Sequence, residues 1–560
     1  ILEQEEIVGP AVRAGYLYSG VADVASLTGD KDYFTAIKRI WENMAGRKLY
    51  ITGGIGSRPQ GEGFGPDYEL HNMENYCETC ASIANVYWNY RMFLATGEAK
   101  YADVYERAMY NGVISGVSLS GDRFFYDNPL ESMGQHERQP WFGCACCPGN
   151  VTRFMASVPG YMYALQGEDI YVNMYAAGRA IIETPGNRTS IVQTTEYPWD
   201  GRIAITVSPD KTSRFSIKFR IPGWAGDRPA GTDLYTYTSK ATPVTISING
   251  KKIRGRGKDG YINIDRTWSS NDVVELVLPM EVRRVRANDR VKADAGKLAI
   301  ERGPVVYCLE GCDQPDGEVF NKFIPADAVF EAVYDKDLLN GVVKLEGPAA
   351  QVDTEGRVTE STCTAIPYST WCNRGAGRMA VWIPTGADGA HPRPVPTIAS
   401  KAYAIKLTGE PNGWPGFNSP ALYRSGEADI PGIPVWGVND QWEPSGSSDI
   451  GKPYYCWFGN RGEDENVAYL FEKPETVSEV QVYWLDFDHY DVNYRVPQSW
   501  ELFYLSDSDQ WLPVDKRGDY TVEKDRYNTL KFSPVNTRGL KITARPQKGA
   551  SGGIIEWKVQ

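Results

Sequence analysis

"NVYWNYRMFLATGEAKYADVYERAMYNGVISGV", residues 85–117, carries an apolar residue at nearly every third or fourth position. That period is helical, and the break at Thr96-Gly97 predicts two helices joined by a tight turn. Upstream, "GPAVRAGYLYSGVADVASLTGD" (9–30) spaces Val12, Tyr16, Val21, Val24 and Leu27 in helical rhythm and stops at Gly29. "KDYFTAIKRIWENMAGRKLY" (31–50) gives one more helix. Helices paired by short glycine-containing turns predict a helical barrel or solenoid over residues 1–165. Between them runs a long glycine-rich loop, "ITGGIGSRPQGEGFGPDYELHNMENYC" (51–77). A loop of that length inside a compact domain is usually functional.

From "GEDIYVNMYAAGRAIIETPG" (167–186) onward the period becomes two, as in "RIAITVSP", "RFSIKFRIPGW" and "TPVTISINGKKI". Asn249-Gly250 between two such runs is a hairpin signal. Residues 166–410 therefore read as β-sandwich material, one domain or two. The Pro/Gly-rich stretch 411–430 reads as a linker. Residues 431–560 read as a further, discoidin-like β-sandwich. Its Trp442, Trp457, Trp484 and Trp500 are candidates for a sugar-stacking surface, against the alternative that they are core. The fold class expected is multidomain α + β.

A chain of 560 residues is too long for one hydrophobic core, which fits that division. With 42% hydrophobic and 23% charged residues it is not a disordered chain. The formal charge of −12, with no long Lys/Arg run, argues against nucleic-acid and anionic-membrane partners. No stretch reaches the roughly 18 apolar residues of a membrane span.

Two cysteine clusters carry the chemistry: "ENYCETC", with Cys77, Glu78 and Cys80, and "CACC", with Cys144, Cys146 and Cys147. Buried inert thiols, a disulfide or redox pair, a structural zinc site and a catalytic thiolate all remain open on spacing alone. "PGN" follows the second cluster, and Asn150 is a candidate N-cap for a helix beginning at Val151. Thiols just ahead of a helix start would feel its positive end and ionise more readily. Neighbouring cysteines on a regular helix point about 100° apart, and Glu78 and Cys80 are likewise divergent on a helix. Sharing a metal requires that both pairs lie at a turn or a helix start. In the loop, Glu62 is flanked by Gly61 and Gly63, which let the backbone approach a ligand.

Taken in order, "YITGGIGS", "GEGF", "ETCASIANVYW", "FFYDNPLES" and "WFGCACCPGN" resemble glycoside hydrolase family 127, whose founding activity is β-L-arabinofuranosidase. The resemblance implies that residues 1–165 are the later part of an (α/α)6 barrel, a partial barrel followed by β-sandwich domains. It further implies that the helices completing the barrel belong to the full-length chain. By motif it assigns the nucleophile to Cys146 and the acid/base to Glu62. It assigns a Zn2+ site to Glu78, Cys80, Cys146 and Cys147, and a sugar contact to Tyr126. The substrate implied is a plant cell-wall oligosaccharide or glycoprotein glycan, and the setting periplasmic or extracellular in a bacterium. One departure is visible: the family's "GHAVR" reads "GPAVR" here, so Pro10 stands where a sugar-contacting histidine is expected. A related aceric-acid hydrolase, a non-catalytic carbohydrate-binding scaffold with structural zinc, and a redox protein with a Cys146–Cys147 or Cys144–Cys147 disulfide are the alternatives.

Overall fold

A computed structural model describes residues 1–134, 136–253, 256–392, 394, 396–408, 422–424, 435–449, 454–457, 464–489 and 492–560. Two compact units divide them: Ile1–Met133, Arg138–Val352 and Val358–His391 in the first, Gly134–Glu137, Asp353–Arg357 and Pro392–Gln560 in the second. The chain is a mixed, multidomain structure of few helices and many sheets.

The first unit opens with α1 (Ala11–Thr28), α2 (Lys31–Asn43), α3 (Thr79–Thr96) and α4 (Ala99–Ala108). The break expected at Thr96-Gly97 separates α3 from α4, with Gly97 in the left-handed conformation that ends a helix. Asp30 caps α2 by accepting from the Asp32 and Tyr33 amides, each at 3.0 Å. α1 packs on α3, and α3 on α4.

The buried face of α1 differs from the expected one. Ala11, Ala14, Gly15, Tyr18, Ser19, Ala22 and Ala25 face inward. Tyr16, Val24 and Leu27 are exposed, Leu27 by 87%. The reason is close approach. A Cβ on Gly15 would lie 2.7 Å from the Ala84 Cβ of α3, so only the small-residue face can seat there. Hydropathic rhythm registers large apolar groups and is nearly blind to such a face.

Residues 117–134 and 136–145, expected within a helical region, are loops plus a short strand, Glu131–Met133, which pairs with Arg378–Ala380. The helical region is thus stitched to a later sheet. A buried ion pair does the same for α4. Arg107 pairs with Glu301 and donates to the Ile51 and Pro229 carbonyls, both at 2.7 Å. Arg220 pairs with Asp103 and Glu106 from the other side. Breaking such a buried pair costs about 3–5 kcal/mol, because it strands the remaining charge.

The period-two segments form two facing sheets. One runs Arg256–Lys258, Tyr261–Trp268, Ser213–Arg220, Asp169–Val172, Tyr163–Gln166. The other runs Lys251–Lys252, Thr245–Ile248, Asp272–Val277, Arg202–Pro209, Arg188–Thr195, Gly178–Glu183. Ile203, Ile205, Ile217, Phe219, Trp268, Val274 and Leu276 share the core between them. Asn249-Gly250 makes the expected two-residue hairpin turn, with Lys251 paired to Ile248. A third, 11-stranded sheet follows, centred on Val342–Val352, Val358–Pro367, Val305–Glu310 and Lys297–Arg302.

The second unit is built on an eight-stranded sheet that includes Ala402–Thr408. Those residues were expected with the middle region, ending at 410. The stretch 411–430, expected as a linker, lies outside the described residues except for Leu422–Arg424, which pairs with Ala402–Thr408. Trp442, Trp457, Trp484 and Trp500 are all buried, so of the two readings these four tryptophans are core. Of the four, Trp500 lies at an inward position of an alternating strand, Ser499–Leu505. No helix among the described residues is long and apolar enough to cross a membrane.

Close packing at Gly15 gives a paired prediction. Gly15→Ala should destabilise the first unit by about 1–3 kcal/mol through overpacking against Ala84. Gly20→Ala, on the same helix with open space around the new methyl, should be neutral or stabilising by about 0.5–1 kcal/mol. Chemical-denaturation midpoints of the two variants check the contrast, and equal shifts would refute it.

Candidate active site

Two helix starts converge. Glu78 is the residue preceding α3, with extended backbone, and its carbonyl accepts from the Ala81 and Ser82 amides at 2.9 and 3.0 Å. Cys80 follows in the first turn. Opposite them, α5 (Cys146–Met155) begins at Cys146 itself. Asn150 therefore does not cap a helix starting at Val151; its side chain accepts from Arg153 Nη2 at 2.6 Å. α5 starts early because Pro148 is harmless there: amides of a first turn have no intrahelical acceptor. Both thiols thus lie in the first turn rather than ahead of it.

The divergence expected of neighbouring cysteines is overcome at this start. Cys146 Sγ lies 3.7 Å from Cys147 Sγ, and Cys80 Sγ lies 3.6 Å from Cys147 Sγ. Glu78 Oε1 is 3.3 Å from Cys146 Sγ and 3.5 Å from Cys147 Sγ. One donor atom from each of the four residues falls within 4.8 Å of all the others. The sulfurs are free thiols, well beyond the roughly 2.05 Å of a disulfide. Cys147 and Cys80 are buried, Cys146 is partly exposed, and Cys144 is exposed and outside the cluster.

Three thiols and a carboxylate gathered from two segments suit a tetrahedral thiophilic cation. A second observation fits the same group: Glu78 Oε2 is buried without a hydrogen-bond partner. A buried carboxylate oxygen left so is costly unless a cation completes it. Burial, then the neighbouring Cys146 sulfur, pushes the Glu78 carboxyl up to about 8. Hydrogen bonds from Cys147 and then Cys80 hold the Cys146 thiol far below the usual thiol range. Burial pushes Cys147 the opposite way. One sulfur, the accessible one, is thus the favoured thiolate.

The start of α3 is clamped by the "FFYDN" segment. The Thr79 amide donates to the Tyr126 carbonyl at 2.8 Å, and Thr79 Oγ1 to the Phe125 carbonyl at 2.9 Å. Asn128 is fully buried. Its Nδ2 donates to the Cys77 carbonyl at 2.9 Å and to Thr79 Oγ1 at 3.0 Å, while its Oδ1 accepts from Ser115 Oγ at 2.7 Å. Asn128 was passed over in the sequence, although it stands two residues after Tyr126 in the same motif. The Tyr126 hydroxyl lies 3.2 Å from Cys146 Sγ, and Phe142 meets the Tyr126 ring edge-on at 5.3 Å.

Glu62 sits on a tight turn. Arg58 and Gly63 exchange amide bonds at 3.1 and 3.0 Å, and the Phe64 amide donates to the Gly9 carbonyl at 3.1 Å. Gly61 has φ 69°, and Glu62 itself has φ 52°, unusual for a residue with a side chain. A Cβ on Gly63 would stand 3.0 Å from the Gly9 carbonyl oxygen. The glycines flanking Glu62 thus serve the turn and its seat against Gly9-Pro10. Glu62 Oε1 accepts from the Tyr76 hydroxyl at 3.1 Å, and its charge is felt at Glu78. Tyr76 too was missed, though it lies in the quoted "ENYCETC". Cys77 is buried, with φ 37°, outside the donor cluster.

Family models match in register. The family 127 β-L-arabinofuranosidase catalytic domain matches residues 1–160, the family's middle domain 169–280 and its C-terminal domain 282–384. A non-reducing end β-L-arabinofuranosidase of Bifidobacterium longum subsp. longum is 36% identical over 415 residues, 68% of this chain and 60% of that protein. A solved GH127 β-arabinofuranosidase superposes with TM-score 0.69 at 45% identity, covering 70% of this chain and 63% of that one. A GH127 β-L-arabinofuranosidase from Geobacillus stearothermophilus T6 gives TM-score 0.64 at 42% identity, covering 68% and 61%. The match spans about three-fifths of the curated relative's length. On these matches and the order of its motifs, the chain belongs to glycoside hydrolase family 127.

Proposed function

We propose that the chain carries the catalytic centre of a retaining glycoside hydrolase that releases β-L-arabinofuranose from glycans, with Cys146 as nucleophile and Glu62 as acid/base. The observation that carries this reading is the partly exposed Cys146 sulfur, 3.3 Å from Glu78 Oε1 and 3.2 Å from the Tyr126 hydroxyl at the edge of a cluster of three thiols and a carboxylate. The names of the relatives support the sugar. The likeness of the helical region to these enzymes also supports its being part of an (α/α)6 barrel.

Retaining chemistry needs a nucleophile on one face of the anomeric carbon and a proton donor beside the leaving oxygen. Cys146 Sγ would attack the anomeric carbon as the glycosidic bond breaks. Glu62 would deliver its carboxyl proton to the departing oxygen. The same carboxylate would then take a proton from water as the carbon–sulfur bond hydrolyses. Tyr126, within reach of Cys146 Sγ, would orient the sulfur and meet the sugar. Glu78, Cys80, Cys146 and Cys147 are the residues that would hold zinc. Bound there, zinc supplies the positive charge that keeps the sulfurs ionised and tempers their nucleophilicity. Asn128 would keep Glu78 and Cys80 aimed at that point through Thr79 and the Cys77 carbonyl.

A cyclophellitol-type probe of β-L-arabinofuranose configuration, followed by peptide mass spectrometry, tests the assignment. Label on Cys146 is the expected result; label elsewhere with Cys146 unmodified would sink it. Cys146→Ser should lower turnover of an aryl β-L-arabinofuranoside by about three orders of magnitude or more. Glu62→Gln should lower turnover of an unactivated substrate by roughly 10²–10⁴-fold.

Metal analysis should find zinc in the purified chain. Asn128→Ala should weaken its retention against a chelator by about 10–100-fold, as loss of an orienting partner does. Retention equal to that of the unaltered protein would remove Asn128 from the proposed supporting role.

A further inference from the structure

Glu62 has little of its own to fix its carboxyl. It rides on a turn between two glycines, and its side chain has three rotatable bonds. Tyr76 is different. It stands in the segment leading into α3, and its ring packs beside the cluster of Cys80, Tyr126 and Cys147. Its hydroxyl donates to Glu62 Oε1 at 3.1 Å. Its ring meets that of Tyr126 at 5.9 Å between centroids, tilted by 51°. The Tyr126 hydroxyl in turn stands 3.2 Å from Cys146 Sγ. Two rigid rings therefore run from the proposed proton donor to the proposed nucleophile. Each has only two side-chain torsions, and Phe142 backs the second edge-on.

We propose that Tyr76 is a positioning residue for the acid/base: its hydroxyl fixes Glu62 Oε1, so that Oε2 carries the proton to the leaving oxygen, and its contact with Tyr126 sets Glu62 in place relative to Cys146. The inference rests on the glycosidase reading above. Geometry of this kind matters because proton transfer demands alignment, and misplacement by about 1 Å can cost about 100-fold. The assignment gives a reason for a tyrosine two residues before Glu78. A phenylalanine there would keep the ring contact and lose the hold on Glu62.

The test is leaving-group dependence. Methyl β-L-arabinofuranoside needs a proton on its departing oxygen, whereas the 4-nitrophenyl glycoside leaves as a stable phenolate without one. Tyr76→Phe should lower kcat/KM, which reports the bond-breaking step alone, by about 10–100-fold on the methyl glycoside and by less than about threefold on the 4-nitrophenyl glycoside. In a Glu62→Gln background the same change should add no further loss on the methyl glycoside. Parallel losses on both substrates, or a full additional loss in the double variant, would overturn the inference and leave the glycosidase reading intact. Loss of zinc or of thermal stability in Tyr76→Phe would assign the residue to folding and also overturn it. Failure of the unaltered chain on both glycosides would instead sink the glycosidase reading, and this inference with it.

Discussion

Everything at the candidate site depends on two helices beginning at the same point. α3 and α5 present their first turns to each other, and their donors come from positions 78 and 80 on one side and 146 and 147 on the other. A helix start is the one part of a helix where neighbouring residues need not diverge. Its backbone is only half committed, and its amides point outward unpaired. It is also the positive end of the helix, which favours anionic sulfur and carboxylate. Four ionisable groups so close together in a largely buried place would repel if all were charged. They share protons, or they share a cation. The orphaned Glu78 Oε2 argues for the cation.

Two residues of the segments around the cluster hold unusual backbone. Cys77, immediately before Glu78, has φ 37°, and Glu62 has φ 52°. Residues with side chains rarely adopt these values, and surrounding bonds must hold them there. The Cys77 amide is held by the Gly56 carbonyl at 2.8 Å and the Cys77 carbonyl by Asn128, while the Glu62 amide donates to the Pro59 carbonyl at 3.1 Å. Thus the long glycine-rich loop is pinned at Glu62 and at Cys77, the residue before Glu78. Between them, Asn72 Nδ2 donates to Asp294 Oδ1 at 2.8 Å, which fastens the loop to the later part of the same unit. This is how a 27-residue connection can be a precise element.

Much of this was legible in the residues, and the failures have physical causes. The break at Thr96-Gly97 and the hairpin at Asn249-Gly250 are local signals, decided by backbone conformations that few residues tolerate, and they came through. The change of period near residue 166 came through because alternation is what a two-faced sheet requires. The buried face of α1 did not, since van der Waals fit at Gly15 and Ala84 outweighed hydropathy. The start of α5 did not, because Asn150 is a good cap in isolation while the fold begins the helix at Cys146, five residues before Val151. In the second unit, the tryptophans admitted both a core and a sugar platform, and burial places these four in the core. At the site, residue types that carry chemistry were visible as clusters. The residues that aim them, Asn128 and Tyr76, were not, because their role exists only through contacts distant in sequence.

Pro10 shows how such a site can change its contacts without losing its frame. The family's motif has a histidine there, and proline offers no side-chain donor or acceptor. Yet the backbone around it keeps a structural task. Pro10 precedes α1 with its carbonyl accepting from the Ala14 amide at 2.9 Å, and it bridges to Gly63 beside Glu62. Both interactions use the main chain alone, and proline's fixed φ suits the position before a helix. With proline at this position the turn that carries Glu62 stays seated. The main chain of residue 10, through its carbonyl and its pairing with Gly63, holds the turn without any contribution from the side chain.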